Sequence, residues 1–260
     1  MENQDKNRNL EPRSDIIMGR NPVMEAVRSG REIDKLFVAK GATGGSVAAI
    51  IAKCSEKGIV IKEVPTQKLD FMCGGGNHQG VAVSVASREY SSVEDILNLA
   101  KERHEAPFII ICDNLEDPHN LGAIVRTAEA TGVHGIIIPK RRSVTLSATV
   151  AKAACGALEY MKVAKVTNLI SEIEKLKEQG VWIYGADMDG TSWCSQDYTG
   201  GVALIIGNEG KGIGRLVAEH CDVMISLPMK GEINSLNASV AAGVLMYEVS
   251  RQRSGIKAIK

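Results

Sequence analysis

Five polar residues in three short segments of the C-terminal half are the ones whose types and spacing could do chemistry. They are Asn120 and Arg126 in Asn120-Leu-Gly-Ala-Ile-Val-Arg126, Glu209 in Ile205-Ile-Gly-Asn-Glu-Gly-Lys-Gly-Ile213, and Ser235 and Asn237 in Leu227-Pro-Met-Lys-Gly-Glu-Ile-Asn-Ser-Leu-Asn. Each segment places polar or glycine residues beside an apolar run, the pattern of a strand-to-helix junction, where ligand sites of α/β sheets gather. Arg126 lies among Ala123, Ile124, Val125, Ala128 and Ala130. A guanidinium in such company is either functional or half of a buried ion pair, with Glu129 or Asp113 as partner. The glycine run from Gly207 can bring main chain close to a flat ligand or can simply turn the chain. Ser235 and Asn237 are good helix caps, and capping is their ordinary reading.

Other chemistries find no support in the residues. Lys211 is followed by glycine rather than Ser or Thr, so the run is no phosphate loop, and the dinucleotide fingerprint G-x-G-x-x-G is absent. No Gly-x-Ser-x-Gly elbow and no His-Glu-x-x-His pair occurs. The five histidines and six cysteines are scattered without a Cys-x-x-Cys pair, which argues against a metal site or a redox dithiol. The formal net charge is zero, so any nucleic-acid footprint must be local. Its candidates are Lys140-Arg141-Arg142, the group Arg20, Arg28 and Arg31, and the tail residues Arg251, Arg253, Lys257 and Lys260. No apolar run is long enough to cross a bilayer and the N-terminus lacks a signal-peptide core, so a cytoplasmic protein with no membrane contact is expected.

The elements that must position these residues follow from the apolar pattern. Residues 1–14 are polar and expected to be disordered. Asn21 with Pro22 predicts a helix start, and Gly30 its stop. Strands are expected at Lys35–Ala39, Ile59–Glu63 and Val81–Ala86 and a helix at Ser46–Lys57, which together make a small α/β unit. A polar linker from Ser87 leads to a helix opened by Ser91 and Glu94 at capping-box spacing. Continuous apolar strands at Phe108–Cys112, Gly135–Ile138, Val181–Tyr184, Val202–Ile206 and Val223–Leu227 then suit a parallel sheet covered on both faces. The last helix, about Asn237 to Arg251, is apolar on most sides and should pack deep or at an interface.

In order and spacing the three segments resemble the signature motifs of the SpoU (TrmH-type) RNA ribose 2′-O-methyltransferases, a family of the knotted SPOUT superfamily. The resemblance implies an α/β fold with a C-terminal parallel-sheet domain carrying a deep trefoil knot over residues 105–260. Ahead of it stands a small L30e-like α/β domain at 15–88 that binds the RNA substrate, and 89–104 is a linker and connecting helix. Gly19-Arg-Asn-Pro-Val-Met-Glu-Ala-Val and Asn77-His-Gln-Gly-Val-Ala-Val resemble that auxiliary domain. Further implications are S-adenosyl-L-methionine (AdoMet) as methyl donor, held largely by main chain around Ile206, Gly207, Asn208, Leu227, Met229 and Leu236, with no metal. Arg126, Asn120, Glu209, Ser235 and Asn237 then form the catalytic set. The whole arrangement looks most like the bacterial enzymes that methylate a guanosine ribose in 23S rRNA. Relatives act on tRNA or other rRNA sites, and an inactive RNA-binding or ribosome-assembly protein is the alternative from another class. A homodimer through the C-terminal domain is expected.

Overall fold

A computed structural model describes residues 15–29, 31–85, 89–233 and 235–256. The expected tail at 1–14, the helix stop at Gly30, linker residues 86–88, Asn234, Lys257 and Lys260 lie outside the described residues. The chain divides into two compact units, one reaching to Glu89 and including Thr145–Ala148, the other comprising the rest.

The first unit runs β1 (Ile16–Met18), α1 (Arg20–Arg28), β2 (Ile33–Ala39), α2 (Gly45–Glu56), β3 (Val60–Val64), α3 (Thr66–Met72) and β4 (Val81–Val85). Its sheet has the order β1-β4-β2-β3, with β4 antiparallel to both neighbours and β2 parallel to β3. Alternation along β4 sorts the core. Val81, Val83 and Val85 pack with Val23 and Val27 of α1 and Ile50 of α2, whereas Ala82 packs with Leu69 of α3. Helix α1 starts two residues before the sequence suggests, with Gly19 rather than Asn21 as its N-cap and Arg20 rather than Pro22 as its first residue. Gly19, at φ 92, precedes it without a side-chain cap, and Pro22 falls in the first turn, where no amide hydrogen is needed. The Asn77–Gly80 stretch is knitted to this start. Gln79 Oε1 accepts the Arg20 amide at 3.1 Å, and His78 Nδ1 accepts the Gly80 amide at 3.0 Å.

The second unit runs α4 (Val93–Glu102), β5 (Phe108–Cys112), α5 (Pro118–Ala130), β6 (Gly135–Pro139), α6 (Ala148–Ala153), β7 (Lys162–Val166), α7 (Leu169–Glu178), β8 (Val181–Ser192), β9 (Gly201–Ile206), α8 (Arg215–Ala218), β10 (Val223–Ser226) and α9 (Ala238–Arg253). Six strands form one sheet in the order β10-β8-β9-β5-β6-β7, and every neighbouring pair is parallel. Ile109, Ile111, Ile137, Ile183 and Ile205 meet α7 through Ile173 and Leu176, and α4 through Ile96. Helices α5 and α9 pack on each other, and α9 lies on β9. The capping box of α4 is Ser92 with Asp95, not Ser91 with Glu94, because the Ser91 amide donates to Val163 O beside β7.

Candidate active site

All six strands of the second sheet run the same way, so the carboxyl ends of β5, β9 and β10 share one edge. The loops that carry or lead into the three polar segments leave the sheet there, at 113–117, 207–214 and 227–237; Asn120–Arg126 itself lies within α5 rather than at the junction.

The loop after β9 is closed on itself. The Asn208 amide donates to Gly212 O at 3.0 Å and the Gly212 amide returns to Asn208 O at 2.8 Å. A Cβ on Gly207 would lie 2.3 Å from the Gly212 carbonyl carbon, so only glycine lets the turn close. Asn208 Oδ1 accepts the amides of Gly210 at 2.9 Å and Lys211 at 3.2 Å, and its Nδ2 donates to Asn114 O at 3.2 Å. Ile206 is the buried last residue of β9. At the exposed tip, Glu209 accepts a hydrogen bond from Asn120 Nδ2.

Asn120 is buried in the first turn of α5, which Asp117 caps with Pro118 at its start. Where β5 ends, the Asp113 amide donates to Ile206 O at 2.8 Å. The buried Asp113 carboxylate accepts the Gly214 amide at 2.7 Å and Asn114 Nδ2 at 2.8 Å. Asn114 holds a left-handed backbone, φ 56.

Arg126 stands further along α5 and is exposed, with Nη1 donating to Cys155 Sγ at 3.6 Å. Among the described residues it makes no ion pair, which corrects the buried-pair reading: Asp113 is occupied by Gly214 and Asn114. The small residues around Arg126 have another cause. A Cβ on Gly122 would sit 2.4 Å from that of Ala153, and Ile124, Val125 and Ala128 face inward. Cys155 had no sequence signal as a neighbour of Arg126, being 29 residues away.

Asn237 is the N-cap of α9; its Oδ1 accepts the amides of Ser239 at 3.0 Å and Val240 at 3.4 Å. Among the described residues Ser235 caps no helix; it is exposed, as are Met229 and Leu236, while Leu227 is half-buried. The structure thus joins Asn120 with Glu209 and ties the Gly207–Gly214 loop to the end of β5. Among the described residues no hydrogen bond connects Arg126 or Ser235 to that pair.

The basic candidates separate. Arg253 donates to the carbonyls of Ala106 at 2.7 Å, Pro107 at 2.9 Å and Gly200 at 2.6 Å. Arg251 pairs with Glu248 at 2.7 Å, and Arg20 donates to Gln79 O and Ser46 Oγ, both at 3.1 Å. These three are tied to neighbouring groups of the fold, Arg253 most completely. Arg141 and Arg142 remain exposed just after β6, on the same edge as Asn120.

Two thiols near the site are quiet. Burial, with Asp113 adding to it, pushes Cys112 up to about 12, and burial takes Cys221 to about 11, so both stay protonated. Among the described residues no group of three or more His, Cys, Asp or Glu side chains is arranged to hold a metal, and no helix is long and apolar enough to cross a membrane.

Known proteins are similar to this chain in sequence and fold. The sequence profile of the SpoU rRNA Methylase family matches residues 107–247, and that for RNA 2′-O ribose methyltransferase substrate binding matches 16–91. YacO of Bacillus subtilis, named for the TrmH family of tRNA/rRNA methyltransferases, is 49% identical over 93% of this chain and 97% of its own. A Staphylococcus aureus protein of the same family name is 45% identical over 93% of this chain and 97% of its own. Among solved structures, an AdoMet-bound rRNA methyltransferase from Sinorhizobium meliloti is 25% identical, with a TM-score of 0.58 over 95% of this chain and 89% of that one. The SpoU methyltransferase AviRb of Streptomyces viridochromogenes, 22% identical, shares the fold with a TM-score of 0.59 over 92% of this chain and 90% of its own. With a profile match over more than half its length and a relative of this identity along nearly all of it, the chain belongs to the SpoU rRNA Methylase family.

Proposed function

We propose that the protein transfers a methyl group from AdoMet to a ribose 2′-hydroxyl, and that its target is a guanosine of 23S rRNA. The observation that carries this reading is the Asn120–Glu209 hydrogen bond. It joins two motifs 89 residues apart at the carboxyl edge of a parallel sheet, on the helix that also bears the exposed Arg126. A family membership and AdoMet-bound structural neighbours support the cofactor. So does the chemistry of the site, where a self-closed glycine turn with fixed main-chain groups lies on the same sheet edge as the segment bearing exposed Met229 and Leu236. Ile206, Gly207, Asn208, Leu227, Met229 and Leu236 would hold the cofactor. When bound, AdoMet supplies an electrophilic methyl group on a sulfonium.

The protein's part is alignment and electrostatics. A guanidinium is too weak an acid to serve as base, so Arg126 binds a phosphate next to the target ribose and stabilises the alkoxide forming at the 2′-oxygen. The hydroxyl proton passes to water or to that phosphate. Glu209, fixed by Asn120, and Ser235 and Asn237 line the cleft. Residues 15–88 bind RNA, and Arg141 and Arg142 add phosphate contacts. The catalytic domain carries the family's trefoil knot and forms a homodimer through the outer face of α9.

Ribose-methylation mapping of total RNA from cells with and without the gene tests the reading. The expected result is loss of one 2′-O-methylguanosine in 23S rRNA. Loss of a mark in tRNA or at another rRNA position moves the substrate, and no lost mark together with no AdoMet binding by calorimetry leaves an inactive RNA-binding protein.

A further inference from the structure

The contacts at the end of β5 are more elaborate than ending a strand requires. Asp113 is almost wholly buried, yet both its carboxylate oxygens are used. Oδ2 accepts the Gly214 amide at 2.7 Å and Oδ1 accepts Asn114 Nδ2 at 2.8 Å. A strand end needs neither bond, and a buried carboxylate is costly unless such donors meet it. The next residue, Asn114, adopts a left-handed backbone, a conformation that non-glycine residues other than Asn and Asp rarely accept. That turn aims its carbonyl at Asn208 Nδ2, 3.2 Å away. Asn208 in turn holds the amides of Gly210 and Lys211 from inside the loop. The loop between Gly207 and Gly214 is therefore pinned near its start through Asn208 and at its end through Gly214, and both pins come from residues 113 and 114.

We infer that Asp113 and Asn114 are positioning residues for methyl transfer: a clamp that sets the glycine-rich loop before cofactor arrives. The Asn208–Gly212 bridge closes the tip of the loop on itself but ties neither Asn208 nor Gly214 to the sheet, and Gly214 would otherwise leave the closed tip free to swing as a unit. Two consequences follow from the geometry. Main-chain groups of Gly207 and Asn208 are presented in one arrangement, so cofactor binding need not order them. Glu209 is carried at the loop tip to within reach of Asn120. Gly214 fits the clamp as well, because a Cβ there would lie 3.1 Å from Asp113 Oδ2.

The inference rests on the AdoMet reading, and the test separates the two. Full-length wild type, Asp113→Ala, Asp113→Asn and Asn114→Gly are compared for AdoMet affinity by calorimetry, for KM and kcat with AdoMet and RNA, for urea midpoint, and for amide exchange at Gly212 and Gly214. Asp113→Ala removes an acceptor from a buried amide, so AdoMet affinity should fall and its KM rise by about tenfold or more, with kcat at saturating AdoMet falling far less. Exchange at Gly214 should speed up while the rest of the sheet keeps its protection. Asp113→Asn keeps an oxygen for the Gly214 amide and should recover much of the affinity. Asn114→Gly retains the left-handed turn and its carbonyl but leaves the buried Asp113 Oδ1 without its donor, and should lie between wild type and Asp113→Ala. An Asp113→Ala protein whose AdoMet affinity and KM stay within about twofold of wild type would overturn the clamp. So would a loss confined to kcat, or failure of both Asp113 variants to fold, which would make the carboxylate a part of the scaffold only. A wild type that binds no AdoMet would instead sink the proposed function and leave the exchange data to judge the clamp.

Discussion

Arg126 is exposed on α5 with no ion pair among the described residues, so its removal strands no buried charge. Arg126→Ala should therefore leave the urea midpoint and AdoMet affinity near wild type while reducing methyl transfer by about a hundredfold or more, the scale of a lost transition-state contact. Single-turnover rates beside calorimetry would check it, and a variant retaining near-normal rates would remove Arg126 from the mechanism. His134 makes a stability prediction of a different kind. Its buried ring accepts the Phe108 amide at Nδ1 and faces Glu105 from Nε2, both at 2.9 Å, which requires the neutral tautomer. Burial holds its pKa below the usual 6.5, against the pull of Glu105. A base depressed in the folded state contributes stability above its unfolded pKa and loses it as pH falls through that value towards the folded one. The urea midpoint should thus drop on acidification from about pH 7.5 through 6.5. His134→Ala should be less stable throughout, by about 1–3 kcal/mol, with that part of the pH dependence gone.

Among the elements, the β6 end and α9 carry the sharpest expectations. Arg141 and Arg142 are exposed on the edge that holds Asn120 and Glu209, whereas Arg251 and Arg253 are tied into the fold. Replacing both Arg141 and Arg142 by Ala should weaken RNA binding and flatten the log–log salt dependence by about one to two units, since each phosphate contact contributes somewhat under one. Unchanged slopes in filter binding would place the footprint elsewhere. On α9, Leu245, Met246 and Val249 are spent on the protein's own core. Val240, Val244 and Tyr247 remain on one face at 51%, 38% and 58% exposure, an i, i+4, i+7 stripe. If this stripe forms the homodimer, Val244→Glu with Tyr247→Glu should give a monomer by light scattering at micromolar concentration while circular dichroism stays unchanged. A wild type that is already an active monomer would end the dimer reading.

At the scale of the whole molecule, each unit has its own core and its own sheet. Helix α4 belongs to the second unit physically, because Ile96 is fully buried against the sheet and a Cβ on Gly135 would lie 2.4 Å from it. A fragment from Ser91 to the C-terminus should therefore fold cooperatively and bind AdoMet, yet methylate RNA far more slowly than the full chain. Equal rates on RNA would give residues 15–88 another task.

What the sequence determined by itself was whatever depends on local pattern. Phe108–Cys112 suited a strand covered on both faces, since five consecutive apolar residues, most of them β-branched or aromatic, leave no polar side to expose. The second and third polar segments could be set beside strand ends because glycine and cap residues mark them, whereas Asn120–Arg126 falls inside α5. β7 escaped because Lys162-Val-Ala-Lys-Val belongs to an edge strand, whose half-exposed lysines hide the apolar pattern. Ser91 and Ser92 are equally good caps on paper, and a main-chain bond to Val163 made the choice. Tertiary structure alone decided partners. It paired Asn120 with Glu209, gave Asp113 to Gly214 rather than to Arg126, and closed Arg253 around backbone carbonyls. Such pairings join residues 89, 101 and 147 positions apart, and a one-dimensional pattern carries the chemistry of each partner but not the packing that brings them within reach.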